Sequence, residues 1–131
     1  MSFFAFLSKL LGGNIGRKQV SVQTQKVIET EWSSIKTLMA GRSPSQLKQA
    51  LISADKSLDA ALKDVVAGET MGERLKNAKD KFPWEQYQKI WNAHKMRNAL
   101  VHEAGYDPSH FMITDAIKQF QDALRSLGVR V

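Results

Sequence analysis

Near the C-terminal end of the chain, Arg97-Asn98-Ala99-Leu100-Val101-His102 sets a permanent cation, an amide and an imidazole within six residues. These are the groups that metal-free cleavage of a phosphodiester needs. A guanidinium neutralises phosphate charge through its planar fork of donors, and an imidazole moves protons near neutral pH. An amide can orient either one. On a helix, Arg97 and His102 are separated by about 140° of rotation and about 7.5 Å of rise, so only the long arginine stem can close the gap. His94, Asn98 and His102 follow at four-residue steps and form a polar seam on a helix otherwise rich in Trp and Leu. Such a seam must be satisfied by partners or used by a ligand. The candidate catalytic residues are therefore Arg97, His102 and Asn98, with Lys95 and His94 as candidate substrate-binding residues.

The elements that must position these groups are helical. Residues 3–11 read as a short amphipathic helix on Phe3, Phe6, Leu7 and Leu10, stopped by Gly12-Gly13, and a basic linker carrying Arg17-Lys18 follows. Residues 22–39 form the next helix, with Val27, Trp32, Ile35, Leu38 and Met39 as its stripe and Gly41 as its stop. Ser43-Pro44-Ser45-Gln46 joins an N-cap serine, a first-position proline and a capping-box glutamine, and opens a helix to about residue 66. Its apolar face is Leu47, Ala50, Leu51, Ala54, Leu58, Ala61, Leu62 and Val65. Thr70-Met71-Gly72-Glu73 is a second capping box, before a helix to about residue 81. Pro83 restarts the chain into the motif helix, where Trp84, Tyr87, Ile90, Trp91, His94, Asn98 and Val101 share a periodicity up to about residue 103. Residues 111–114 suit a strand or a helix equally, and a last amphipathic helix carries Ile117, Phe120, Leu124 and Leu127. The sum is an all-α fold, a four-helix up-down bundle over residues 21–131 preceded by an N-terminal segment, 1–20.

Set in that frame, Arg97-Asn98-x-x-x-His102 resembles the Arg-x(4–6)-His motif of the HEPN superfamily, in which the arginine is commonly followed by Asn, Asp or His. The order of elements is similar too: a long helix pair, the motif late in a later helix, then one closing helix. The resemblance spans about residues 22–128. It implies a metal-independent endoribonuclease acting as a symmetric homodimer, with two motif helices meeting at one cleft. By that implication His102 acts on the ribose 2′-hydroxyl or the leaving 5′-oxygen, Arg97 stabilises the charged phosphorus centre, and Asn98 positions the histidine or the phosphate. The products are a 2′,3′-cyclic phosphate and a 5′-hydroxyl end, formed without a cofactor. RNA is the implied partner, and a cognate antitoxin protein a second one. One departure is plain. Members controlled by nucleotidylation carry a tyrosine two residues after the histidine, where this chain has Ala104, and Tyr106 lies beyond Gly105. Other members are non-catalytic binding modules, so a nucleotide-, RNA- or protein-binding role stands beside the enzymatic one.

Plainer readings compete at each residue. Arg97 can bridge to Glu103 or Asp107, and His102 can be satisfied inside the bundle. His94 also reads as a packing histidine, and His110 as an exposed one beside a turn. Trp84 and Trp91, seven apart, read as core rather than a base-stacking platform. From Arg74 to Arg97 seven cations face two acids, which is either a solvated face or a phosphate-tracking rim.

Composition bounds the rest. The absence of cysteine removes disulfides and thiolate metal sites, and fits a cytoplasmic protein. The three histidines are eight apart and lack the carboxylate spacing of zinc motifs, so no metal site is expected. A net charge of +6 favours polyanionic partners. No stretch approaches the roughly 20 apolar residues that span a bilayer. Residues 2–7 lack the basic leader and cleavage site of a signal peptide. The apolar face of residues 3–11 has a modest cationic flank in Lys9, Arg17 and Lys18, and suits self-packing, dimerisation or contact with a membrane surface.

Overall fold

The computed structural model describes residues 18–131, so the helix expected at residues 3–11 lies outside the described residues. Among those residues the chain is all-α. Five helices, α1 (Val22–Gly41), α2 (Pro44–Val65), α3 (Met71–Asn77), α4 (Trp84–His102) and α5 (His110–Ser126), are joined by short turns, with no strand. None of these helices is long and apolar enough to cross a membrane.

Each helix starts where a side chain can accept an orphan backbone N–H, except α4, which starts on Pro83. Ser21 Oγ accepts from Thr24 N at the head of α1, and Ser109 Oγ from Met112 N at the head of α5. Both halves of the capping box form on α2: Ser43 Oγ accepts from Gln46 N (3.2 Å) and Gln46 Oε1 from Ser43 N (3.3 Å). The box expected at α3 forms by half. Thr70 Oγ1 accepts from Glu73 N, but the Glu73 carboxylate turns to Glu69 N. Gly41 does not stop α1. It is the last helical residue, and Arg42 takes the left-handed conformation at φ 63°. The glycine has a different use: a Cβ at position 41 would collide with the Gln46 side-chain amide, so the capping box of α2 needs that space.

The core is built around α2, which touches α1, α3, α4 and α5. All eight residues expected on its apolar face are buried, three of them alanines that let neighbouring backbones approach. Each fully buried leucine there contributes about 1.5–3 kcal/mol relative to exposure. Ile28, Trp32 and Ile35 of α1, Tyr87 and Ile90 of α4, and Ile113, Ile117, Phe120 and Leu124 of α5 close around them.

Some expectations are corrected. Val27 is exposed, because the buried stripe of α1 runs through Gln25, Ile28, Trp32 and Ile35, one position out of phase with it. Trp84 is 61% exposed. It stands at the first position of α4, where Tyr87 three residues on takes the buried place, and the Lys79 ammonium lies 5.5 Å from its ring centroid. Val101 is also exposed, near the end of α4. Residues 79–81 are a 3-10 turn rather than the last turn of α3. Residues 111–114 are helical, inside α5.

The last residues return to the start of the fold. Val129 is buried in the core. The Gln25 side-chain amide pairs with the Arg130 backbone, donating from Nε2 to the carbonyl (3.0 Å) and accepting the N–H on Oε1 (3.1 Å).

Candidate functional site

The motif helix lies against α2 and α5. His94 is buried on its inner face, while Arg97, Asn98 and Leu100 are half-buried and His102 is the exposed last residue. Across from them, on α2, stands Asp55, one position past Ala54 on the most deeply buried helix of the fold. Its side chain is 5% exposed.

This carboxylate gathers two groups of the motif helix. Asp55 Oδ1 lies 3.0 Å from His94 Nδ1, and Asp55 Oδ2 lies 3.3 Å from Arg97 Nε. The first is a hydrogen bond. The second is an ionic contact whose geometry is not that of a hydrogen bond, and Arg97 Nε has no hydrogen-bond partner although the atom is buried. Asn98 joins the pair: its Oδ1 accepts from Arg97 Nη1 at 3.2 Å, and its Nδ2 lies 3.5 Å from His94 Nε2. Taking a carboxylate out of water costs several kcal/mol unless its oxygens are matched, and here both are.

Of the five residues singled out in the sequence, the structure brings together His94, Arg97 and Asn98. It leaves Lys95 exposed on α4. His102 sits at the exposed end of the helix, and no hydrogen bond or ion pair joins it to the cluster. The structural alternative that paired Arg97 with Glu103 or Asp107 is corrected, since its acid is Asp55 from another helix. Sequence reasoning missed Asp55. The one available signal was an acid directly after Ala54, beside the expected apolar face of α2.

An aromatic ladder backs the cluster along α4. Ring centroids of Trp84 and Tyr87 are 6.1 Å apart, those of Tyr87 and Trp91 6.4 Å, and those of Trp91 and His94 5.9 Å, the last two edge-on. The His94 ring is thus held by a carboxylate on one side and an indole on another.

The basic run beside the motif is partly consumed within the fold. Arg74 is clamped by Asp59, with Nε to Oδ1 at 2.7 Å and Nη2 to Oδ2 at 3.0 Å, and it also donates Nη1 to the Gly68 carbonyl at 2.8 Å. Lys79 sits over Trp84, and Arg97 opposes Asp55. Lys76, Lys89 and Lys95 remain exposed. Among the described residues no group of three or more His, Cys, Asp or Glu side chains is placed to hold a metal.

Comparison of the chain with protein-family models, with curated proteins and with solved structures finds no match. What the site can do follows from its own chemistry: a hydrogen-bonded imidazole, an amide and a guanidinium that reaches the surface, all on one helix.

Proposed function

We propose that the chain is a HEPN-like protein that acts on RNA as a metal-independent endoribonuclease. In this reading the helices form a four-helix up-down bundle of HEPN-like topology, and two copies pair through α4. The observation that carries it is the state of Arg97. Its guanidinium donates one bond to Asn98, yet the side chain is 29% exposed, so donors remain for a phosphate. In the reaction the ribose 2′-oxygen bonds to phosphorus while the bond from phosphorus to the 5′-oxygen breaks. A proton leaves the 2′-hydroxyl and another reaches the 5′-oxygen. His102 of one copy takes the first, and the second copy's imidazole supplies the other. Arg97 faces the phosphoryl oxygens as their charge grows.

The test is to incubate purified protein with mixed-sequence RNA in EDTA and examine the ends. Cleavage with 2′,3′-cyclic phosphate products, lost in His102→Ala, is expected. Cleavage abolished by chelator, or unchanged in His102→Ala, overturns the reading.

A second reading is a non-catalytic RNA- or protein-binding module. It is favoured by the Asp55 carboxylate, which offsets the charge of Arg97, and by the separation of His102 from the cluster. It predicts saturable RNA binding without turnover, and RNA cleavage that requires the intact motif removes it.

A further inference from the structure

We propose that Asp55 is the positioning residue of the motif: one buried carboxylate on α2 sets both the tautomer of His94 and the outward aim of the Arg97 guanidinium. The inference rests on the endoribonuclease reading.

The hydrogen bonds around Asp55 run in one direction. An ionised carboxylate only accepts, so the proton of the Asp55–His94 bond is on Nδ1, which makes Nε2 of a neutral ring the acceptor. Asn98 Nδ2, a donor, is the group that faces this Nε2. That choice turns Asn98 Oδ1 towards Arg97, where it accepts from Nη1. Arg97 then stands with Nε against the second Asp55 oxygen and closes the ring. The hydrogen bonds through His94, Asn98 and Arg97 run in this direction only if the carboxylate is where it is, and its 5% exposure leaves water little part in holding it.

The fold contains its own comparison. Arg74 and Asp59 form an arginine–aspartate pair across α3 and α2 with an evident structural use. There the guanidinium spends Nε, Nη1 and Nη2 on three hydrogen bonds and its side chain is 10% exposed. Arg97 spends one N–H on Asn98, leaves Nε without a hydrogen bond and is 29% exposed. A pair built to lock two helices uses the fork of the arginine. The Asp55–Arg97 contact instead holds the stem by charge and leaves most of the fork unspent, as a group meant to meet a phosphate would be held.

The decisive variant is Asp55→Asn, which keeps the shape and an acceptor for His94 but removes the charge opposite Arg97. If wild type cleaves RNA in EDTA, the variant should fold with a similar melting temperature, keep its KM and lose about 100-fold in kcat, as expected for a reacting group displaced by about an ångström. In an Arg97→Lys background the same substitution should change kcat by no more than about 3-fold, because the two act through one another. A kcat within about 3-fold of wild type in the single variant, or full additivity in the double, overturns the role of Asp55 and leaves the nuclease reading intact. A wild type that does not cleave overturns both. Should Asp55→Asn not fold, wild type is titrated with a 2′-O-methyl RNA oligonucleotide and followed by side-chain 15N NMR. A shift of the Arg97 Nε resonance with the His94 Nδ1 proton retained supports the assignment, and an unmoved Arg97 resonance overturns it.

Discussion

Arg97 separates the two functional readings better by replacement with lysine than with alanine. Lysine keeps the charge opposite Asp55 but lacks the planar fork, so Asn98 loses its directional donor. Arg97→Lys is expected to fold and to bind RNA with a similar salt dependence, while cleavage falls by about 100-fold or more. Melting, binding at two salt concentrations and cleavage rate measure the three, and an active wild type whose rate survives the change would remove the clamp role. A second residue makes a prediction about acid stability. Burial alone would raise the Asp64 carboxyl, but the Ser21 backbone N–H bond at 2.9 Å, helped by the Thr24 and Ser21 hydroxyls, outweighs it and holds the group below its ordinary value. A lowered folded value means stability that is present above the ordinary carboxylate range and is lost as pH falls through the folded one. Asp64→Asn should flatten that loss, seen in urea unfolding from about pH 6 down to about pH 2. At this scale the sequence showed the groups on α4 plainly, since they share one stretch of chain. It could not show that an acid 39 positions before His94 would meet them, because that contact belongs to packing between helices.

Elements with local signals were legible. The start of α2 was readable from four residues, and the structure forms both bonds of its box. Ser43→Ala removes one of them and should cost about 1 kcal/mol, a fall of about 3–5 °C in Tm by calorimetry, with no change in the sites on α4. The start of α5 was not legible. Phe111 and Met112 are exposed at 76% and 44%, so two of the three apolar residues of that stretch sit off the buried face and blur the helical period. Ser109, a serine after proline, was the better guide, through its hydroxyl bond to Met112 N. The same misdirection befell Trp84 and Val101 on α4: large apolar side chains kept the period while the packed face ended before them.

For the molecule as a whole, α2 is the hub and the ends of the described chain are tied across it. The Gln25 amide holds the Arg130 backbone, and Val129 fills the core beside it. Removing residues 129–131 should therefore destabilise the fold by about 3 kcal/mol, from one buried valine and two hydrogen bonds, read as a lower urea midpoint. The net charge of +6 made a polyanionic partner the natural expectation. Its distribution was beyond the sequence: the fork of Arg74 is spent on Asp59 of α2 and the Gly68 carbonyl, and Asp55 of the same helix opposes the charge of Arg97. The residual salt dependence of RNA binding should accordingly be shallower than seven cations would give.

The aromatic ladder of α4 gives the chain an optical property. Its three tryptophans stand in three settings: Trp32 buried with its indole N–H on Ser57, Trp84 at the surface, and Trp91 edge-on to His94. In a Trp84→Phe protein, with the surface emitter gone, a change of fluorescence on Asp55→Asn should come from Trp91, the indole in contact with the ring that Asp55 holds. The colour of the remaining emission would be set by one buried and one half-buried indole. The molecule thus carries, without a label, a light-emitting reporter one side chain away from the Asp55 cluster.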